Sequence, residues 1–150
     1  MMVIFGGRTS DQSSLKDTWG LRRHRNGTWD WVKAPYKPGT EEPVARYQHS
    51  TLFVGTLMIV QGGRTNTPTE LVPCEIYDTE SSEWRKYPCP QRFRHSAWSL
   101  DANLYFHGGF DSDSPNIPTN SIIKVDLMKL VESTPSFKEK LTLFFGNSVS

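Results

Sequence analysis

The side chains of this chain most able to do chemistry are four histidines, two cysteines and a set of arginines. His24, His49, His95 and His107 are the candidate metal ligands or proton carriers. A metal site needs such ligands at short, regular spacing, or joined by carboxylates. None of the four stands at ligand spacing, and no Asp or Glu completes a triad with them. Cys74 and Cys89 lie 15 residues apart, also without metal spacing, and are read as free thiols rather than as a disulfide. Serines are plentiful, but no Gly-x-Ser-x-Gly elbow exposes one as a nucleophile. Three glycine pairs invite comparison with phosphate loops. Neither Gly-x-Gly-x-x-Gly nor Gly-x-x-x-x-Gly-Lys-Ser/Thr occurs. The expectation is therefore no catalytic, cofactor-binding or metal-binding residue in this chain.

The same residues carry a different signal when their positions are compared. Arg46-Tyr47-Gln48-His49-Ser50 recurs as Arg92-Phe93-Arg94-His95-Ser96, a shift of 46. The glycine pairs Gly6-Gly7, Gly62-Gly63 and Gly108-Gly109 close the apolar runs Val3–Phe5, Met58–Gln61 and Leu104–His107. From His49 to Gly62, and from His95 to Gly108, the distance is 13 residues. Trp31 and Trp84 each have a proline four residues on, and Tyr77-Asp78 precedes Trp84. Recurrence at roughly 40–50 residues marks a blade-type repeat, in which each small sheet buries its apolar face only by stacking on neighbours. Gly6, Gly7, Trp31, His49, Gly62, Gly63, Tyr77, Trp84, His95, Gly108 and Gly109 are accordingly read as structural repeat positions. His49 and His95 belong to architecture more than to a metal, and His107 sits beside a glycine pair in an inner strand.

The elements that must hold these residues are strands. The second repeat is complete: strand a over His49–Val54, b over Leu57–Gln61, c over Pro73–Asp78 and d around Trp84–Tyr87. Strand b is apolar at successive positions, the pattern of a strand covered on both faces. The first repeat enters at strand b, continues through Thr18–Arg22, turns at Asn26-Gly27 and ends with Trp29–Val32. Asn-Gly between aromatic strands predicts a type I′ turn in preference to a glycosylated asparagine. The third repeat has a over His95–Leu100, b over Asn103–His107 and c over Ser121–Asp126. Its strand d is degenerate. Val131 falls near the tryptophan position, and Asp126–Leu130 could equally turn helical. The tail, Phe137 to Ser150, reads as strand or as amphipathic helix. The repeats span about 1–35, 46–88 and 92–131, followed by a tail over 132–150.

That is about two and a half four-stranded antiparallel blades, an all-β partial propeller, where a closed one needs about 4–8. Open sheet edges at both ends invite pairing with another chain. The chain is expected to be a fragment of a longer protein, the alternative being an open module that self-associates.

The bulk numbers agree with a packed domain. In 150 residues, 36% are hydrophobic and the net charge is +1. No basic stripe suggests nucleic acid. No apolar run approaches the roughly 18 residues of a membrane span, and the start is not that of a signal peptide. The cytoplasm, the nucleus or both are the expected compartments.

Four arginines are candidates for gripping a protein partner. Arg46 and Arg92 could offer bidentate hydrogen bonds to an acidic or phosphorylated group. Alternatively, each bonds backbone carbonyls between blades. Arg8 and Arg64 open the long polar b–c loops, Arg8–Asp17 and Arg64–Val72, whose third counterpart is Phe110–Asn120. Such loops emerge on one face of a propeller and are either its binding surface or simply solvated.

The repeat resembles the kelch repeat, whose period is about 50. A narrower resemblance rests on Phe5-Gly6-Gly7-Arg8-Thr9-Ser10, His24-Arg25-Asn26-Gly27-Thr28-Trp29-Asp30-Trp31, Arg46-Tyr47-Gln48-His49 and Arg92-Phe93-Arg94-His95. These runs are similar to protein serine/threonine phosphatases with an N-terminal kelch domain, known from plant brassinosteroid signalling and apicomplexan parasites. The resemblance covers residues 3 to about 109. It implies a regulatory, protein-binding domain whose partner is a phosphoprotein substrate or the enzyme's own catalytic domain. It also implies, in that separate domain, two divalent metals such as manganese that activate a water for phosphoester hydrolysis. The family's motifs Gly-Asp-x-His-Gly, Gly-Asp-x-x-Asp-Arg-Gly and Gly-Asn-His-Glu are absent here. The alternative is a kelch substrate adaptor of a ubiquitin ligase or another scaffold.

Overall fold

The computed structural model describes residues 1–146. Three antiparallel sheets follow one another along the chain. In the first, β1 (Met2–Arg8), β2 (Ser14–Arg23) and β3 (Trp29–Lys33) pair in that order. In the second, β4 (Tyr47–Val54), β5 (Leu57–Arg64), β6 (Cys74–Asp78) and β7 (Glu83–Tyr87) form a full four-stranded blade. In the third, β9 (Ser96–Leu100) and β12 (Ile122–Asp126) flank β10 (Asn103–His107). A short pair, β8 (Arg92–Phe93) with β11 (Phe110–Asp111), prolongs the third sheet past a kink. Arg94 makes that kink at φ 55, and Gln48, its equivalent in the second blade, lies at φ 60.

The three glycine-pair runs are strands, as the spacing predicts, and occupy equivalent places in successive sheets. Strand β5 is buried through Gly63, which accounts for its unbroken apolar run. Its alternate residues face opposite neighbours. Met58 and Val60 pack with Phe5, Tyr77 and Trp84 between the first two sheets. Leu57 and Ile59 pack with Ile76, Leu104 and Phe106 between the second and third.

Among the described residues the third sheet has no fourth strand. After β12 the chain turns helical, in α1 (Leu127–Leu130) and α2 (Pro135–Phe145). The Asp126 side chain caps α1 by accepting from the backbone N–H of Met128 and Lys129. Leu127, Val131, Phe137 and Leu141 are buried in the cluster shared by the second and third sheets. Polar contacts also tie the tail to the second sheet. Lys140 Nζ donates to both carboxylate oxygens of Asp78 at 2.8 and 2.7 Å, and the Tyr87 and Thr134 hydroxyls lie 2.6 Å apart. The helices thus fill the space that Trp84 fills between the first two sheets. Of the two readings of the tail, helix holds for residues 137–145; residues 147–150 lie outside the described residues.

Two expectations need correction. The Asn26-Gly27 turn is not type I′, because only Gly27 has a positive φ, at 87. The Gly27 N–H donates to the His24 carbonyl at 3.0 Å, and Asn26 Oδ1 accepts from the Thr28 N–H at 3.0 Å. The Asn26 side chain thus forms an Asx turn, and the connection runs over five residues, His24–Thr28. The second correction concerns Trp31. Trp84 is 3% exposed, with its ring 5.4 Å from Phe5 and 4.9 Å from Tyr77. Trp31 is 50% exposed. Trp84 is covered by the sheet before its own, and among the described residues no sheet precedes that of Trp31.

Candidate functional site

The inner end of each strand b is where one blade meets the next. A Cβ on Gly62 would stand 2.3 Å from the Arg92 carbonyl oxygen and 2.5 Å from His95 Cε1. On Gly6 it would stand 2.7 Å from the Arg46 carbonyl oxygen and 3.1 Å from His49 Cε1. Both glycines also have left-handed φ, 64 and 65, so no other residue fits without moving the neighbouring blade. The fixed spacing from histidine to glycine has another origin, the hairpin within one blade, in which His49 stands opposite Gly62.

His49 lies edge-on to Phe5, with ring centroids 5.4 Å apart. His95 Nε2 is 2.7 Å from the Ser50 hydroxyl, and its ring sits 5.1 Å from Phe106. Burial lowers the pKa of His49 to about 4, helped by the nearby Arg46 charge; burial and Arg92 do the same for His95, also to about 4. Both rings are neutral at physiological pH and serve as inter-blade packing. Among the described residues, no group of three or more His, Cys, Asp or Glu could hold a metal ion. Cys74 and Cys89 are free thiols. Cys74 is pushed well above its ordinary pKa, first by its hydrogen bond with Cys89 and then by burial. That makes it a poor nucleophile.

Arg46 and Arg92 are both buried, with their guanidinium groups bonded inside the chain. Arg46 donates to the Val44, Gly62 and Pro73 carbonyls at 3.2, 3.2 and 2.7 Å, and to the Glu75 carboxylate. Apart from the contact with Val44, these bonds run within its own blade rather than between blades. Burial pushes the Glu75 carboxyl up, and the Arg46 charge opposes it. The Val44 N–H supplies a further bond to Glu75 at 2.9 Å. Arg92 repeats the arrangement with different partners. It donates to the Gly108 carbonyl at 2.9 Å, the Ser121 hydroxyl at 2.8 Å and Asp111 Oδ1 at 2.8 Å. Ser121 stands 46 residues after Glu75, at the same repeat position. Neither was singled out from sequence. The available signal was a lone carboxylate inside the apolar strand Cys74-Glu75-Ile76-Tyr77, which can be buried only with a partner.

Arg8 and Arg64 remain at the surface, on a rim of aromatic rings. Arg8 lies 4.9 Å over the Tyr47 ring. Arg64 lies 4.7 Å over Phe93 and 5.9 Å from Tyr47. Phe110, at the place of Arg8 and Arg64 in the third blade, stacks on Phe93 at 5.5 Å. The rings hold the guanidinium planes in place without consuming their N–H groups. Arg8 spends one donor on Gln12, at 2.7 Å. Arg64 is half-buried, and no carboxylate pairs with it among the described residues. It borders a cleft of about 280 Å³, shared with Thr65, Thr67, Gln91, Ser112 and Asn116. Gln91 fixes one wall of the cleft. Its side chain accepts from the Val72 N–H at 2.9 Å and donates to the Val72 carbonyl at 3.0 Å. The cleft lies between the b–c loops of the second and third blades and sets polar side chains, the exposed Glu70 carboxylate among them, beside a stacked cation.

Comparison with known proteins agrees with this architecture. Residues 1–114 match the family model described as the KLHDC2/KLHL20/DRC7 Kelch-repeats domain. Over 63 residues, 42% of this chain and 6% of the relative, the chain is 36% identical to serine/threonine-protein phosphatase BSL2 of Arabidopsis thaliana. Over 78 residues, 49% of this chain and 8% of the relative, it is 35% identical to tRNA wybutosine-synthesizing protein 2/3/4 of the same plant. The chain therefore spans less than a tenth of the length of either.

Proposed function

This chain belongs to the Kelch-repeat domain family, and from that premise we propose that it binds a protein partner on the loop face that carries Arg8 and Arg64. A domain of this family is of the protein-interaction type. The observation that carries the reading further is Arg64, which is stacked on Phe93, has no carboxylate partner among the described residues and borders a polar cleft between two loops. A preoriented guanidinium with spare donors suits a carboxylate or phosphoryl oxygen on a peptide, which it can take in two parallel bonds.

The likeness to a serine/threonine phosphatase supports a finer reading. The module places phosphoprotein substrates for such an enzyme, or positions its catalytic domain. Hydrolysis and its two divalent metals belong to that catalytic domain; this chain supplies binding. The reading also places the protein in the cytoplasm or nucleus, where such substrates are found.

The experiment is a screen of phosphorylated and acidic peptides against the full chain, read by fluorescence anisotropy. Charge-assisted hydrogen bonds contribute about 1.5–3 kcal/mol each. Arg64→Ala should therefore weaken the selected peptide by about ten- to a hundredfold. Arg64→Lys should recover little of it, because lysine cannot form the fork. Binding that is indifferent to both substitutions would refute the assignment of this face.

A further inference from the structure

Cys74 and Cys89 stand 15 residues apart in sequence and next to each other in the fold. Cys74 opens β6, and in the ladder it lies opposite Tyr87, the last residue of β7. Residues opposed across a ladder share a face. Both are buried in the cluster between the second and third sheets, and Cys89 packs against that same cluster. Pro88 and Pro90 flank Cys89, and a residue before proline is held extended. The Gln91 side chain then fastens this extended segment beside β6. Its nitrogen donates to the Val72 and Cys89 carbonyls, both at 3.0 Å, and its oxygen accepts from the Val72 N–H at 2.9 Å. One amide therefore joins the backbone two residues before Cys74 to the backbone of Cys89. Bracketed by the Cys74–Tyr87 pair and by this clamp, the two thiols come within hydrogen-bonding reach. They differ in access, since Cys74 is fully buried and Cys89 is half-buried.

We infer that Cys89 and Cys74 form a reversible oxidation site, at which a hydroperoxide converts the thiol pair to a disulfide within the second blade. Cys89, the more accessible sulfur, reacts first. Its thiolate attacks one oxygen of the peroxide, the O–O bond breaks, and Cys89 becomes a sulfenic acid. The hydroxide released from hydrogen peroxide takes up the Cys89 proton as water. The Cys74 sulfur then attacks the Cys89 sulfur. The S–S bond forms, the S–O bond breaks, and the departing hydroxide takes the Cys74 proton as a second water. Two thiols lose two electrons in all, and one peroxide is reduced by them. Cys74 in the reduced chain is a poor nucleophile first because of its hydrogen bond with the Cys89 thiol, and oxidation of Cys89 removes that thiol. The buried Arg46 charge acts on both sulfurs and favours the Cys74 thiolate at the second step. A resolving thiol already in contact captures the sulfenic acid before it is oxidised further. The link fastens strand c of the second blade to the segment that crosses to the third, directly behind the wall that Gln91 builds for the Arg64 cleft.

The test is peptide mapping of the full chain after brief exposure to hydrogen peroxide, with remaining thiols blocked by N-ethylmaleimide in denaturant. Trypsin cuts after Arg64, Arg85, Lys86 and Arg92, which leaves the two cysteines on separate peptides, 65–85 and 87–92. The disulfide predicts these peptides joined, both blockable thiols lost, the circular dichroism unchanged and both thiols restored by dithiothreitol. In Cys74→Ala the Cys89 sulfenic acid should persist and be labelled by dimedone. In Cys89→Ala the buried Cys74 should stay unlabelled. The wild-type map decides the question even if a variant folds poorly. Cys89 oxidised beyond the sulfenic acid while Cys74 still reacts with the maleimide overturns the proposal. So does a product linked mainly between chains, a bond that forms only in urea, or dimedone labelling of Cys74 in folded Cys89→Ala.

Discussion

Trp84 and Trp31 occupy one repeat position in two environments, and replacing each by alanine separates packing from residue type. An aromatic side chain buries about 150–250 Å². At about 25 cal/mol per Å² its complete removal from a core forfeits roughly 4–6 kcal/mol. Alanine keeps the Cβ and the site relaxes in part, so Trp84→Ala should cost about 3–5 kcal/mol, within the usual range for large-to-small core changes. For a chain of this size that lowers the melting temperature by roughly 6–20 °C. Trp31, half exposed, should cost under about 1 kcal/mol. The assay is urea unfolding followed by circular dichroism, at dilution where association is absent. Equal losses for the two variants, or a loss under about 1 kcal/mol for Trp84→Ala, would refute the claim that the tryptophan is an inter-blade wedge covered by Phe5.

Three further outcomes follow from buried groups. His49 and His95 have folded-state pKa values of about 4, below the ordinary 6.5, so the stability they contribute is fully present above pH 6.5 and drains away as pH falls toward 4. Calorimetry across that window should show a falling unfolding temperature, and His49→Gln should flatten the slope. Glu75→Ala strands the buried Arg46 guanidinium and should cost about 3–5 kcal/mol in urea unfolding, whereas breaking the exposed Lys16–Glu42 pair should cost under about 1 kcal/mol. Leu141→Ala opens the cluster that the tail helix seals, and a loss of about 2–5 kcal/mol in the same assay would show that the tail is part of the fold.

Much of this architecture is legible in the chain before any coordinates. The histidine-to-glycine spacing fixes equivalent positions because the hairpin of β4 and β5 sets His49 opposite Gly62, and the glycine itself is held by an inter-blade contact without room for a Cβ, at Gly6 and Gly62. The unbroken apolar run Leu57–Val60 identifies a strand covered on both faces. What stays hidden depends on neighbours. Trp31 and Trp84 look alike in sequence, and only the sheet before each decides which is buried. The two readings of residues 137–145 are settled by the cavity left by the missing fourth strand, which Phe137 and Leu141 enter from one helix face. The arginines divide for the same reason. Arg46 meets Glu75 across 29 positions of sequence and is consumed by the blade. Arg64 meets an aromatic ring instead and keeps its donors. Nothing in the residue type tells the two apart.

The central claim is that the b–c loop face around Arg64 is where this domain takes its partner. Hydrogen–deuterium exchange of the full chain, alone and saturated with the peptide selected by the screen, reads that face directly. Protection is expected in 64–72 and 110–120, with little change in β2 and β3 on the far sheet. Protection confined to the first sheet or to the helical tail, with the two loops unchanged, would contradict it.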